Sequence, residues 1–208
     1  MIFIDGYTFR LERPDDYAAV EAVTREAFWN VYKPGCDEHY ILHTMRGDPA
    51  VIEELNYVCE APNGEICGHI FYTRTKVVSE DQIVHPVISF GPISVHPACQ
   101  RLGIGSNLIR ISLDKAKKMQ FSGVLITGNP QYYHRFGFRQ AADYGIIADD
   151  GSSFPELMAV ELMEHTFASV HGRIWFCPQF SQIDPDALSR FDEQFPPKAR
   201  MKLQGQLS

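Results

Sequence analysis

The spacing of apolar and polar positions divides the chain into strand-like and helix-like stretches. Residues 7–12, Tyr7-Thr8-Phe9-Arg10-Leu11-Glu12, alternate with a period of two and predict a strand. Arg13-Pro14-Asp15-Asp16 supplies a break and a cap ahead of apolar positions at helical spacing through Phe28. Pro34-Gly35 marks a loop, residues 37–46 suit a second helix, and Gly47 ends it. Three strands follow at 56–60, 66–78 and 83–95, joined by the tight turn Pro62-Asn63-Gly64 and the polar turn Ser79-Glu80-Asp81-Gln82. They read as an antiparallel meander. Beyond Val95, Pro97 stops sheet pairing, and an apolar stripe (Ile104, Leu108, Ile109, Ile111, Leu113, Ala116) marks a helix. Residues 122–127 form a short apolar strand, which the helical connection makes parallel to the strand ending at Val95. After Phe138 the pattern predicts a loop through Ser153 and strands near 157–162 and 173–176. From Asp184 it predicts a short helix and a polar surface tail. The fold class is therefore mixed α/β, with one domain over residues 1–180 and a C-terminal extension at 181–208.

The turn between the third meander strand and the long helix carries an unusual charge pattern. Helices favour Asp or Glu in their first turn, where unpaired N–H groups and the positive end of the macrodipole favour negative charge. Here no acid occurs between Gln100 and Asp114, Arg101 adds a cation at the entrance, and Lys115, Lys117 and Lys118 sit at the far end. The helix start is open to an anion. Glycines alone fit an ordinary hydrated turn equally well. Upstream, Gly91-Pro92 interrupts the strand where regular pairing would continue, which predicts a bulge.

Two common phosphate loops do not fit. A Walker A loop requires Gly-Lys-Ser/Thr, whereas Gly105 precedes Ser106-Asn107, and a dinucleotide fingerprint requires a third glycine where Leu108 stands. Gln100-x-x-Gly103-x-Gly105, directly after a strand and opening a helix, instead resembles the pyrophosphate loop of the GNAT superfamily of acyl-CoA-dependent N-acyltransferases. Asn129-Pro130-Gln131-Tyr132-Tyr133-His134-Arg135-Phe136-Gly137-Phe138 is similar to that family's last segment, an Asn followed by a short helix carrying a Tyr and closing in Gly-Phe. The resemblance spans roughly residues 5–140 in motif order and is sharp at 91–108 and 129–138.

The resemblance implies a central mixed, mostly antiparallel sheet with a splayed parallel strand pair and flanking helices. It implies acetyl-CoA as acyl donor, held by Ile93, Ser94 and Val95 along the pantetheine slot. Gln100, Arg101, Leu102, Gly103, Ile104, Gly105 and Ser106 would hold the pyrophosphate, with Asn129 and Tyr133 beside the thioester. Tyr133 matches the family's tyrosine, which delivers a proton to the departing sulfur. The two helices after the first strand would cover the acceptor, a small-molecule or peptide amine. In such a site the amine attacks the thioester directly in a ternary complex. For the base the sequence offers His85, Glu60, Glu26 and Glu38 without choosing among them, and a water chain could replace any of them; His96 and His134 read as structural. A non-catalytic acyl-CoA sensor with the same fold is the competing class.

Composition bounds these readings. With 208 residues, 45% hydrophobic and 22% charged, the chain can bury a full core. A net charge of -7 disfavours nucleic acid and anionic membranes as partners and permits a cationic amine. The five cysteines are odd in number and scattered, with no Cys-x-x-Cys pair and no zinc spacing, so no metal is expected and a reduced, cytoplasmic compartment fits. The first six residues are too short in apolar length for a signal peptide, and no run approaches a membrane span. A homodimer is left open.

Overall fold

The computed structural model describes residues 1–206. Among these, ten strands form one sheet in the order β1-β2-β3-β4-β5-β6-β9-β7, with β10 pairing both β4 and β8. The antiparallel half comprises β1 (Ile2–Ile4), β2 (Tyr7–Leu11), β3 (Tyr57–Glu60), β4 (Ile66–Val78) and β5 (Val84–Val95). On the other side of β5 lie β6 (Gly123–Thr127), β9 (Leu157–Glu161) and β7 (Arg139–Gln140). The short β8 (Ile146–Ile147) and β10 (Gly172–Trp175) complete the sheet beside the far end of β4. Among the described residues five α-helices flank it: α1 (Tyr17–Phe28), α2 (Glu38–Met45), α3 (Ile104–Lys118), α4 (Pro130–Tyr133) and α5 (Pro185–Asp192). Among the described residues no helix is long and apolar enough to cross a membrane.

The strand period of two sorts the middle of β4 onto two cores. Ile70 and Tyr72 point into a cluster with Phe9, Ile88, Ile104 and Leu108 under α3, while Phe71 packs with Val20, Leu42, Met45 and Val58 under α1 and α2. Full burial of each such side chain contributes roughly 1.5–3 kcal/mol, so both helical layers are firmly attached.

Two irregularities open the sheet at one end. In the β4–β5 ladder Ile93 faces Ile70 and Phe90 faces Tyr72, so Gly91 and Pro92 together oppose Phe71. This is the bulge that the Gly-Pro step predicts, and it bends β5 before its last residues. The parallel pairing of β5 with β6 is limited to Ile88 with Val124, and the two strands separate towards Val95 and Thr127. A slot opens between them.

Three expectations need correction. The first strand is preceded by β1, and the hairpin turns at Asp5-Gly6, both at positive φ (49° and 86°), the backbone of a two-residue turn matched to strand twist. The loop expected through Ser153 contains β7 and β8. The tail after Asp184 does not project from the surface: α5 and residues 193–206 fold back onto α1 and α2 through Arg25, Trp29 and Asn30.

Candidate active site

The turn that leaves β5 is held by its own polar groups. After Val95 one tight turn (Pro97–Cys99) is closed by His96 Nδ1, which accepts from Ala98 N at 3.3 Å. Gln100 donates from Nε2 to the Val95 carbonyl at 3.3 Å, tying the loop to the strand end. Arg101 (φ 64°) and Gly103 (φ 79°) both take the left-handed conformation, and the first helical bond joins Asn107 N to Gly103 O at 2.9 Å. The amides of Ile104, Gly105 and Ser106 therefore have no acceptor within the helix. Among the described residues no carboxylate stands in this first turn, while Lys115, Lys117 and Lys118 occupy the last. The dipole of a 15-residue helix and three free amides converge on one exposed point beside Arg101.

Across the slot, α4 begins at Asn129, whose side chain accepts from Gln131 N at 2.9 Å. Its two tyrosines have different neighbours. Tyr133 is 9% exposed and packs among Phe90, Phe136 and Phe138 at ring distances of 5.7–6.4 Å. A Cβ on Gly128 would come within 2.3 Å of that ring, so the strand end accepts Tyr133 only because residue 128 is glycine. Burial pushes the phenol's pKa above its ordinary value, and the neighbouring Tyr132 and Tyr32 add to the shift, so Tyr133 keeps its proton. The Tyr132 ring meets that of Tyr133 edge-on at 5.1 Å and extends to the glycine loop: a Cβ on Gly105 would lie 3.1 Å from its hydroxyl oxygen. Tyr132 thus reaches the glycine loop itself, which sequence spacing does not show. His134 bonds the Phe138 carbonyl at 2.9 Å, closing the α4 turn.

The third wall is α1 and the loop after it. Thr24 of α1 and Ser94 of β5, both buried, share a 2.8 Å hydrogen bond beside the bulge. One turn further on, α1 ends at Phe28, and Val31 and Tyr32 follow at 47% and 50% exposure. Burial and the nearby Glu38 both raise the Tyr32 phenol. Glu38, the first residue of α2, accepts from Asp37 N at 3.1 Å, and the adjacent cation Lys33 pairs with Asp37 instead. Desolvation lifts the Glu38 carboxyl to about 7.

The structure thus brings Ile93, Ser94, Val95, Gln100–Ser106, Asn129 and Tyr133 to one end of the β5/β6 slot. The arrangement has an acid-free helix start with free amides at one end, a buried phenol beside it, and Tyr32 with the Glu38 carboxyl on the α1–α2 side. A domain description for an acetyltransferase (GNAT) domain matches residues 53–140. An Escherichia coli protein named uncharacterized N-acetyltransferase YjhQ is 32% identical over 140 residues, 67% of this chain and 73% of that protein. The chain belongs to the GNAT acetyltransferase family. Among solved structures, the Escherichia coli GNAT family N-acetyltransferase YhbS, crystallised in complex with CoA, matches with a TM-score of 0.76. At 20% identity, covering 88% of this chain and 97% of that one, it shows the shared GNAT fold. A GNAT family acetyltransferase from Brucella melitensis in complex with acetyl-CoA matches with a TM-score of 0.67 and 26% identity over 84% of this chain and 98% of its own.

Within this GNAT frame the four carboxyl and imidazole candidates separate. His85 pairs with Val77 near the start of β5, the end of the strand away from the slot. Glu60 is engaged by Arg10 Nε at 3.0 Å, and Glu26 by Lys198 at 2.7 Å. Among the described residues no lysine or arginine forms an ion pair with Glu38. The sequence missed Tyr132 as a neighbour of the loop, and it missed the C-terminal residues that hold the third wall.

Proposed function

We propose that this protein transfers the acetyl group of acetyl-CoA to a primary amine, borne by a small molecule or a peptide, in a ternary complex. The reading rests on one observation above the others: an acid-free helix start, with free amides and Arg101, at the mouth of a splayed parallel strand pair. The pyrophosphate of the donor would lie at Gln100–Ser106 and its pantetheine arm along Ile93, Ser94 and Val95, with Asn129 and Tyr133 at the thioester.

The chemistry this site must supply is uneven. A lysine-like amine with a pKa of ~10.4 is mostly protonated at pH 7, a deficit of roughly 4–5 kcal/mol, whereas a thiol of pKa ~8.5 already leaves readily. A base is the greater need. Glu38, in no ion pair with a lysine or arginine among the described residues and tuned by burial, is the group assigned to accept the amine proton. The amine nitrogen then forms a bond to the thioester carbon and the C–S bond breaks. Tyr133, which keeps its proton at physiological pH, donates it to the departing sulfur, and the phenolate recovers the second proton that the acylated nitrogen sheds, leaving amide, free thiol and one proton on Glu38. Beyond Ile88 the β6-facing edge of β5 is free of ladder bonds, so backbone N–H groups are available to the carbonyl oxygen as it gains charge.

A covalent acetyl-enzyme is not part of this proposal. Cys99 is the thiol beside the loop, and burial together with the Cys67 thiol pushes its pKa up, the reverse of an activated nucleophile. The test is release of free thiol from acetyl-CoA across a panel of amines. Amine-dependent release with intersecting kinetics supports the proposal. Tight acetyl-CoA binding without turnover on any amine would make the protein a sensor instead.

A further inference from the structure

We propose that the C-terminal segment, α5 and residues 193–206, fixes the acceptor-side wall of the site, with Asp192 as its positioning residue. The amine readout of this proposal rests on the transferase reading above; its structural readout does not. The loop between α1 and α2 carries Tyr32 and leads into Glu38, yet it contains no regular secondary structure and turns through Asn30 at φ 60°. Its local bonds close the turn, and among the described residues its long-range bonds, all from Trp29 and Asn30, run to the C-terminal segment. Trp29 Nε1 and Asn30 Nδ2 both donate to the Ala199 carbonyl at 3.0 Å. Met201 N donates to Asn30 Oδ1 at 3.0 Å, and Gln206 Nε2 to the Asn30 carbonyl at 2.8 Å.

Asp192 ties together the two helices that the loop joins. Its carboxylate accepts from Arg25 Nε of α1 at 2.7 Å and lies 3.2 Å from His39 Nε2 of α2. Arg200 approaches it at 3.6 Å. Arg25 is 2% exposed and His39 is fully buried between the rings of Phe191 and Phe195. Burial holds His39 well below its usual range, to about 4, so it stays neutral at physiological pH and its ring N–H serves Asp192 as donor. Neutralising Asp192 leaves the Arg25 charge buried without a carboxylate, which loosens the joint between α1, α2 and the loop. The described segment makes these bonds to α1, α2 and their loop, and the glycine turn that would hold the donor is built from other residues. The consequence is selective: Asp192 governs the amine and not acetyl-CoA.

The experiment uses full-length protein carrying Trp175→Phe, so that Trp29 is the one fluorophore of its kind, with and without Asp192→Asn or Asp192→Glu. The amine is whichever of spermidine, L-lysine or an alanine-headed peptide yields most thiol. Asp192→Asn is expected to red-shift Trp29 emission and to raise the KM of that amine at least 10-fold. The calorimetric Kd of acetyl-CoA should stay within 2-fold, and Asp192→Glu should recover part of both losses. Unchanged Trp29 emission, or an acetyl-CoA Kd that rises as far as the amine KM, overturns the proposal. Should Asp192→Asn fail to fold, Asn30→Asp turns the donor to the Ala199 carbonyl into a buried carboxylate that repels it, and must show the same split. If the wild type acetylates none of the three amines, the transferase reading loses its support, and Trp29 emission still decides whether Asp192 holds the loop.

Discussion

Of the three walls of the slot, the two proposed to hold the acyl donor and the amine acceptor are built by opposite means. The donor wall is almost contiguous in sequence: residues 93–106 turn from strand to helix, and what they present is backbone, held by short-range bonds such as Gln100 Nε2 to Val95 O and Asn107 N to Gly103 O. The acceptor wall is assembled from side chains far apart in the chain, with Asp192 serving Arg25 and His39 across more than 150 positions. Recognition of a diphosphate by amides demands a fixed local geometry. Recognition of an amine demands only a pocket, whose supports can come from anywhere.

The largest expected effect lies on the acceptor wall. Glu38→Gln should lower kcat/KM by about 10²–10⁴-fold, the usual worth of a general base. Because Glu38 must be ionised to act, the wild-type rate should climb with pH through about 7 and then level, and the variant's profile should be flat over that limb. A variant that keeps the limb would assign the base elsewhere.

The adjacent tyrosines sharpen the comparison next. Tyr133→Phe keeps the buried ring and removes the donor to sulfur, so kcat should fall about 10–100-fold while acetyl-CoA affinity moves by less than ~1 kcal/mol. Tyr132→Phe should do the reverse. Loss of one hydroxyl beside Gly105 should weaken acetyl-CoA roughly 2–10-fold, the range of one hydrogen bond, with little change in kcat. Interchanged results for the two variants would exchange their roles.

The smallest expected effect is on stability, and its sign is opposite to that on activity. Folding raises the Glu38 carboxyl from its ordinary range to about 7, so the folded state binds the extra proton. Between those values the unfolded state binds fewer protons, and stability falls as pH rises. Glu38→Gln should therefore match the wild type near pH 4 and exceed it at pH 8 by about 1–3 kcal/mol, a few degrees in Tm. An equal or lower Tm at pH 8 would show that Glu38 is not held in a desolvated place.

What could be read from the sequence follows the same division. The meander, the bulge at Gly91-Pro92 and the glycine turn each announce themselves through residue types with a single local use. The β1–β2 hairpin is legible as well, since Asp5-Gly6 between two apolar stretches is a turn signal, but the first six residues are weighed only against a signal peptide. The two-residue strands β7 and β8 carry no period to detect. Sequence spacing singles out Tyr133 but says nothing of where Tyr132 reaches, which only the packing against Gly105 shows. The joint at Asp192 has no local signature, because an aspartate ending a short amphipathic helix looks like any solvated charge until Arg25 and His39 are found against it.

The central claim is that the acid-free start of α3 receives the diphosphate of acetyl-CoA, and calorimetric titration of acetyl-CoA into the wild type and Gly103→Glu tests it most directly. The substitution puts a carboxylate at the anion site and a side chain at φ 79°. Circular dichroism should confirm that both proteins are folded. The wild type is expected to bind one acetyl-CoA per chain and the variant to bind at least about 100-fold more weakly, consistent with loss of several charge-assisted bonds. Equal affinity in the two proteins would contradict the account.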